Sequence, residues 1–409
     1  MIRCLSLSAV ALCLASCVTL TPTIRTPVST VSARITFAPE SQIVQRCPDI
    51  QTVADPNLIA QGQILLNIFD GSTDLLFKDF HRQRTQTVSL LGAYTSDAKV
   101  SPDRKHLAFK RNLYDSNQRN AVAEELALVN ADGVEKQLAW QNGWGRIAGW
   151  LDNEHLLVVP RDQPAGTVSI INVSTDQQQT LVPSFPDVYD EYPPTSWWTE
   201  AVYNSTLTRV AYFRKAPQLG VALWDLQTGK VLAELNSEWT ISVQPEWSPS
   251  GTWLAVSAPP DLSRKENNEL LLINEQGVIS QRTDFSSLYS RTRIVGLSWS
   301  PNGDLITFWL TASQSDVFTE PAHLVVFDLK TQRLVEYCLK GRDSTGGTLP
   351  LWSPNSQQVI VEHFSGVNSS RFVILDVEDN YAFQLRDGFV EDHGATAEII
   401  GWMVESDGK

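Results

Sequence analysis

The sequence predicts an all-β fold built from repeated units, and three observations lead to that prediction. The phrase Trp-Ser-Pro occurs at residues 247–249, 299–301 and 352–354, at intervals of about fifty residues. An apolar triplet typical of a strand begins seven residues after each Trp, for example at residues 254–256. The chain has 13 Trp, 15 Phe and 9 Tyr, and aromatic residues favour strands over helices. A fixed period of this length indicates repeated structural units.

The amino-terminal segment, residues 1–16, predicts export and a lipid anchor. One charge, Arg3, is followed by an apolar stretch at residues 5–14 that is too short to span a bilayer and is typical of an export signal. The stretch leads into Leu-Ala-Ser-Cys at residues 14–17, which resembles the bacterial lipobox. That resemblance implies cleavage before Cys17 and lipid on this cysteine, so the mature protein would lie on a membrane without crossing it. The alternative is an ordinary secretory signal with a chance cysteine.

Residues 17–60 are predicted to hold the lipid anchor and a tether that contains Thr, Ser and Pro, and residues 61–409 are predicted to be the folded domain. The segment from residue 18 to residue 38 has no acidic residue and lacks the repeat pattern. Cys47 and Cys338 are the two cysteines left after removal of the signal and lipidation of Cys17. In an exported protein they could form a disulfide, or they could be two separate buried thiols.

The charge balance disfavours nucleic acid as a partner. The chain has 46 acidic and 32 basic residues, a formal net charge of -14. Such a surface repels phosphate backbones and anionic headgroups.

A second marker gives an independent count of the units. In each unit an apolar strand ends at an Asx residue just before a turn, where its side chain can accept from backbone N–H groups two residues on. Another short strand follows each marker, so every unit is predicted to be a four-stranded antiparallel meander. The markers are Asp79, Asn130, Asn172, Asp225, Asn274, Asp328 and Asp376. Four-stranded units arranged around an axis form a β-propeller, and the seven markers predict seven blades rather than six or eight.

The two ends of the chain predict how the ring closes. Trp402 repeats the end of a first strand, but the chain stops before any further strand of that unit. The missing strands are supplied by residues 64–67, 75–79 and 87–90. One blade is therefore shared between the termini, which leaves no long exposed edge.

The repeats resemble those of TolB-like β-propellers, within the superfamily of WD-repeat-like propellers. The resemblance is carried by Trp-Ser-Pro-Asn-Gly at residues 299–303, followed by an apolar strand and then by a strand that ends in Phe327 and Asp328. It extends from about residue 60 to the end. The namesake of the family has six blades and a small amino-terminal domain, whereas this chain predicts seven blades and has no room for that domain.

No residue pattern specifies a reaction. The six His residues stand singly, with no His-x-x-x-His or Cys-x-x-Cys spacing, so neither a metal nor another cofactor is predicted. The Gly-x-Ser-x-Gly elbow of serine hydrolases is also absent. We therefore expect a non-catalytic protein of the bacterial envelope that faces the periplasm or the exterior and binds a protein or glycan. The alternative is a polysaccharide hydrolase or lyase, with carboxylates from different blades meeting in the central pocket.

Connection lengths predict where a partner would bind. In each blade the turns between the first and second strands and between the third and fourth are short, and the long inserts lie on the other face. The insert at residues 183–198 is the richest in aromatic and acidic residues, and interfaces favour Tyr and Trp. The predicted partner-binding residues are Tyr189, Asp190, Glu191, Tyr192 and Trp197. For Trp197 the alternative is a role in the core.

Overall fold

The computed structural model describes the greater part of the chain from residue 36 onward. The described residues are 36–37, 43–51, 58–69, 74–79, 82, 84–89, 93–114, 121–140, 145–160, 163, 167–183, 185, 201–214, 219–236, 244–260, 267–315, 321–341, 349–366, 369–385 and 396–404. The predicted signal, Cys17 and residues 189–197 lie outside this set.

Within the described residues, 31 strands follow one another. In chain order they are β1 (Thr36–Phe37), β2 (Ile43–Arg46), β3 (Ile50–Gln51), β4 (Gln63–Phe69), β5 (Asp74–Asp79), β6 (Arg84–Ser89), β7 (Ala93–Val100), β8 (His106–Tyr114), β9 (Ala121–Asn130), β10 (Glu135–Leu138), β11 (Gly145–Trp150), β12 (His155–Pro160), β13 (Val168–Asn172), β14 (Gln178–Leu181), β15 (Val202–Tyr203), β16 (Arg209–Arg214), β17 (Gly220–Asp225), β18 (Lys230–Asn236), β19 (Glu246–Trp247), β20 (Trp253–Ala258), β21 (Glu269–Asn274), β22 (Ile279–Gln281), β23 (Arg291–Trp299), β24 (Leu305–Ser313), β25 (His323–Asp328), β26 (Arg333–Lys340), β27 (Leu351–Trp352), β28 (Gln358–Gly366), β29 (Ser369–Asp376), β30 (Tyr381–Gln384) and β31 (Thr396–Met403).

These strands form seven sheets, and the predicted seven-bladed β-propeller is confirmed. From the innermost strand outward, blade 1 is β31-β4-β5-β6, blade 2 is β7 to β10, blade 3 is β11 to β14 and blade 4 is β15 to β18. Blade 5 is β19 to β22, blade 6 is β23 to β26 and blade 7 is β27 to β30. Apolar side chains of neighbouring blades fill the space between them, as Leu272 of blade 5 does with Phe308 of blade 6.

The seven Asx markers end the third strand of each blade, as the sequence predicts. Each side-chain oxygen accepts a hydrogen bond from a backbone N–H of the turn that follows. In blade 4, Asp225 Oδ1 accepts from Gln227 N at 2.8 Å and from Thr228 N at 2.9 Å. In blade 5, Asn274 Oδ1 accepts from Gln276 N at 3.1 Å and from Val278 N at 2.8 Å. The markers therefore close hairpins.

In four blades the Trp of the repeat joins the blade to the one before it. Its indole Nε1 donates to a backbone carbonyl on the innermost strand of the preceding blade. The bonds are Trp150 to Lys99 O at 2.9 Å, Trp247 to Val202 O at 3.0 Å, Trp299 to Glu246 O at 3.0 Å and Trp352 to Ser298 O at 3.2 Å. A buried indole N–H needs such an acceptor, so this bond explains why the repeat requires Trp.

The Ser of the repeat shapes the hook between the first and second strands. In blade 6, Ser300 Oγ accepts from Leu305 N at 2.9 Å and donates to Asn302 Oδ1 at 2.7 Å. Blade 7 repeats both bonds, because Ser353 Oγ accepts from Gln358 N at 2.9 Å and donates to Asn355 Oδ1 at 2.6 Å. The small polar residues of the motif thus satisfy backbone groups that the sheet leaves unpaired.

Closure of the ring follows the prediction. β31 pairs antiparallel with β4, with Trp402 opposite Ile64. Backbone and side-chain bonds then connect blade 1 to blade 2, because Val404 N donates to Arg104 O at 2.9 Å and Arg104 Nη1 donates to Trp402 O at 3.2 Å.

The segment predicted to be a tether contributes strands to the propeller. β1, β2 and β3 pair in parallel with β22, β26 and β30, the fourth strands of three successive blades. We call residues 36–51 the strap. Ile43 and Ile50 of the strap pack against buried apolar clusters, which gives this segment a hydrophobic reason to lie on the blades. The propeller domain therefore includes residues that the sequence assigned to the tether of residues 17–60.

Cys47 of the strap forms a disulfide with Cys338 of β26. Their Cα atoms are 4.8 Å apart, within the range that a disulfide requires. The bond lies between β2 and β3 and so attaches the strap to the outermost strand of blade 6.

Helical structure is scarce in the described part of the chain. It contains the short 3₁₀ turn Phe285–Ser287, and no helix there is long and apolar enough to cross a membrane.

The inter-blade indole bond can be measured with two matched variants. Trp352 and Trp402 are 2% and 0% exposed, but Trp402 Nε1 has no partner among the described residues. Replacing either with Phe removes a similar apolar volume, whereas only Trp352→Phe removes a hydrogen bond. We expect Trp352→Phe to lower the free energy of unfolding by about 1 kcal/mol more than Trp402→Phe. Urea unfolding of both variants measures the difference. Equal losses would contradict a stabilising role for the bond.

The disulfide should be present in protein purified without reductant, and non-reducing peptide mapping should find residues 47 and 338 linked. The loop between them spans 291 residues, for which chain entropy gives at most about 5 kcal/mol of stabilisation. We expect reductant to lower the thermal midpoint of the wild type. The double variant Cys47→Ser, Cys338→Ser should start from the lower midpoint and should not respond to reductant. Two free thiols in the purified protein would refute this prediction.

Candidate functional site

The innermost strands surround the central channel. β7 contacts β31 and β11, β19 contacts β15 and β23, and β27 contacts β23 and β31. Residues of these strands therefore lie nearest the axis of the ring, and neighbouring ones come from different blades.

Glu246 is the most perturbed acid on these strands. It lies on β19 of blade 5, directly before Trp247, and its own carbonyl receives the indole bond from Trp299. Burial raises the pKa of the Glu246 carboxyl to about 7, and the Lys99 ammonium and the backbone N–H of Trp299 oppose that rise. A carboxyl group that titrates near neutral pH on the wall of a channel is a candidate functional group.

Lys99 approaches Glu246 from the opposite side of the ring. It lies on β7 of blade 2, three blades from β19. The charge of its ammonium acts on the Glu246 carboxyl and lowers its pKa, against the larger effect of burial. Such a pair can bind a polar ligand from two sides, and the carboxyl can exchange a proton near pH 7.

The innermost strands carry side chains of both charge signs. The described side chains of the innermost strands include one carboxylate, Glu246, together with Lys99, Arg146, Arg291 and Arg293. Two carboxylates with a His or Arg would favour polysaccharide cleavage, and an apolar lining would favour binding alone. The described wall matches neither pattern. In the described part of the chain no group of three or more His, Cys, Asp or Glu is placed to hold a metal ion.

A second perturbed acid, Glu269, has a structural role. It is 0% exposed, and burial raises its pKa. Its carboxylate accepts from Thr283 Oγ1 at 2.6 Å, from Phe285 N at 2.9 Å and from Ser286 N at 2.8 Å. These bonds hold the 3₁₀ turn that connects blade 5 to blade 6. The hydrogen-bonding capacity of the Glu269 carboxylate is therefore taken up within the fold.

Sequence analysis missed Glu246, although a signal for it exists. The residues that precede the Trp in the other hooks are Gly149, Ser298, Leu351 and Gly401. A glutamate at this position departs from the small or apolar residues of the repeat. Of the residues predicted from the sequence, Cys47 and Cys338 are brought together, whereas Tyr189, Asp190, Glu191, Tyr192, Trp197 and Cys17 lie outside the described residues.

Comparison with known proteins shows a likeness in fold alone. No family model matches the chain, and no curated protein matches it. Among solved structures, TolB from Acinetobacter baumannii is 14% identical, with 81% of this chain and 79% of that chain covered and a TM-score of 0.44.

Two further structures are oligogalacturonate lyases. One, in complex with manganese, is 14% identical, with 79% of this chain and 85% of that chain covered and a TM-score of 0.48. The other, from Vibrio parahaemolyticus, is 15% identical, with 80% and 86% covered and a TM-score of 0.49. These likenesses concern the fold, which is the level at which the sequence predicts a resemblance to TolB-like propellers.

The raised pKa of Glu246 predicts a pH-dependent cost to stability. Between the unfolded pKa, 4.5, and the folded pKa, about 7, the folded protein keeps a proton that the unfolded chain loses. The free energy of unfolding therefore falls as pH rises through this window. We expect Glu246→Gln to be as stable as the wild type near pH 4, and more stable by up to about 3 kcal/mol near pH 8.

A variant for which we expect the opposite change in the free energy of unfolding provides the control. A hydrogen bond from His323 lowers the pKa of Glu336, with His323 Nδ1 and Glu336 Oε1 2.6 Å apart. That interaction stabilises the fold above the unfolded pKa and is lost as pH falls through the folded one. Glu336→Gln should therefore be less stable than the wild type near neutral pH. Urea unfolding at both pH values tests the pair, and a Glu246→Gln variant without pH-dependent gain would contradict the assignment.

Proposed function

We propose that this protein is an extracytoplasmic β-propeller, held on a membrane by lipid at Cys17, that binds a protein or glycan of the bacterial envelope without catalysis. The observation that carries the proposal is the asymmetry of the connections between strands. Hooks and third-to-fourth-strand turns are short, as between Trp299 and Leu305 and between Asp328 and Arg333. The longest connection between consecutive described strands runs from Leu181 to Val202.

The residues within that longest connection suit recognition of a partner. Tyr189, Tyr192 and Trp197 offer aromatic surface that is ordered at low entropic cost. Asp190 and Glu191 favour a basic or hydroxyl-rich partner, in keeping with the net charge of -14. A ring fixed by inter-blade bonds and a strap is a rigid scaffold for such a segment, and binding residues commonly lie on loops of rigid scaffolds.

A second candidate function, cleavage of a polysaccharide in the channel, draws on Glu246. Its pKa of about 7 suits a general acid or base at neutral pH. Under this alternative, wild-type protein should release new chain ends from an envelope polysaccharide, and Glu246→Gln should abolish that release. Under the binding proposal, wild-type protein releases none, and Glu246→Gln captures the partner as well as wild type does.

Partner capture should depend on the two tyrosines. We expect truncation of Tyr189 and Tyr192 to Ala to weaken capture from solubilised membranes by more than about 2 kcal/mol, because central interface aromatics contribute most to binding. The thermal midpoint should not change. Quantitative mass spectrometry of the captured material measures the effect.

Matched controls lie on the turns of the other face. Gln227→Ala and Gln276→Ala change exposed turn residues and should leave capture unchanged. Loss of capture in these variants, with capture retained in the tyrosine variants, would show that the partner binds the face opposite to the proposed one.

Membrane attachment should depend on Cys17. Cys17→Ser removes the thiol that would carry lipid, so we expect the variant to lose stable membrane association. Fractionation of cells that express each form, with membranes washed at high salt, measures the distribution. A variant that remains on membranes as tightly as wild type would refute the lipid anchor.

A further inference from the structure

A cleft with both polar and apolar lining lies between blades 5 and 6, beside their hooks and turns. Its volume is about 390 Å³, within the usual range of small-molecule sites. Blade 5 contributes its hook and Arg282, and blade 6 contributes its hook and the turn that ends at Gln332. None of the residues proposed to bind a partner lines this cleft, so a ligand site here is independent of the proposed function.

Arg282 is a half-buried cation that has no anionic partner among the described residues. Its Cζ lies 5.7 Å from the centroid of the Trp253 ring, and its Nη1 donates to Gln332 Oε1 at 3.0 Å. Among the described residues its Nε is buried without a hydrogen-bond partner, and burial lowers its pKa. An unpaired N–H of a charged group is costly, so the guanidinium lacks the compensation that an anion would provide.

Gln332 stands at a turn position where glutamine is unusual. Its φ is 56°, in the left-handed region that costs most residues about 1 kcal/mol or more. Gln332 lies four residues after the Asx marker of its blade. Three other blades have Asp176, Gly229 and Asn380 at this position, and these residue types tolerate the left-handed conformation. The Gln332 amide donates to Leu329 O and accepts from Arg282. The strained residue therefore positions the guanidinium, and strain at one residue of a repeated turn is a sign of function.

The net charge of the cleft is set by Arg282. Lys330 Nζ lies 2.7 Å from Asp304 Oδ2, so these two charges compensate each other. Arg282 has no carboxylate partner among the described residues. The cleft therefore offers one uncompensated positive charge in a protein whose net charge is -14.

The rest of the wall can bind hydroxyl groups. Ser250 and Thr252 contribute hydroxyls that are 2.7 Å apart, and Asn302 and Asp304 contribute an amide and a carboxylate. The volume far exceeds that of a simple ion, so a ligand that fills it has more than its anionic group. We propose that the cleft binds a small acid that also carries hydroxyl groups, such as an acidic sugar, with its carboxylate on the Arg282 guanidinium and its hydroxyls on the hook side chains.

Calorimetric titration of the full chain tests the ligand class with three probes. Glucuronate has both an anionic group and hydroxyls, acetate has only the former, and glucose has only the latter. We expect glucuronate to bind at least about tenfold more tightly than either of the others, since charge-assisted and neutral hydrogen bonds both contribute. Acetate binding as tightly would overturn the assignment to hydroxylated ligands. Glucose binding as tightly, or no binding of glucuronate, would overturn the role of the cation.

Two variants test the residues. Arg282→Gln should weaken glucuronate binding by about tenfold or more. Gln332→Gly removes the backbone strain, so it should keep or raise the thermal midpoint, yet it should weaken glucuronate binding because Arg282 loses its support. A merely structural role for Gln332 predicts no loss of affinity in this more stable variant. The matched control, Asn380→Gly in the equivalent turn of blade 7, should bind glucuronate like the wild type. Wild-type affinity in both Arg282→Gln and Gln332→Gly would refute the site.

Discussion

The bond from a tryptophan indole to a carbonyl of the preceding blade is the interaction on which the rest of the structure depends. It fixes the innermost strand of one blade against that of the next, at 2.9 to 3.2 Å in four places. Where the innermost strand is short, as in β19 and β27 with two residues each, ladder bonds alone constrain it little. The indole therefore sets where the channel wall lies. Glu246 illustrates the consequence. Its carbonyl accepts the bond from Trp299, and the charge of the Lys99 ammonium lowers the pKa of its carboxyl.

The parts of the fold that were predictable from sequence are those determined by residues that lie close together in the chain. An Asx residue at a strand end must satisfy the turn that follows it, so the markers could be read without knowledge of the fold, and Asp225 and Asn274 bind their turns as expected. The strap was not predictable in this way. β1 and β3 are two residues long and have no turn signal, and their partners β22 and β30 lie more than two hundred residues away. Only the assembled edge of a blade makes such short segments into strands.

The strap also changes which edges of the propeller are open. The fourth strand of a blade has unpaired backbone groups along its outer side, and such edges can pair with other chains. Parallel pairing of β1, β2 and β3 satisfies this side of blades 5, 6 and 7. The Cys47–Cys338 disulfide lies between β2 and β3, so it holds the strap against the middle of the three covered blades.

The candidate sites could not be predicted by motif, because each joins residues from different blades. The charge of Lys99 in blade 2 acts on Glu246 in blade 5, and Arg282 bonds to Gln332 across a blade boundary. In a repeat protein, however, the blades can be aligned with one another. The alignment shows which residue types the fold requires at each position of a blade. Glu246 stands where other hooks have Gly149, Ser298 or Leu351, and Gln332 stands where other turns have Asp176 or Asn380. Both residues cost the scaffold stability, one through a buried carboxyl and the other through a left-handed backbone. Sequences that keep such costs commonly do so at functional positions, and Gln332 lines a cleft that a ligand could enter.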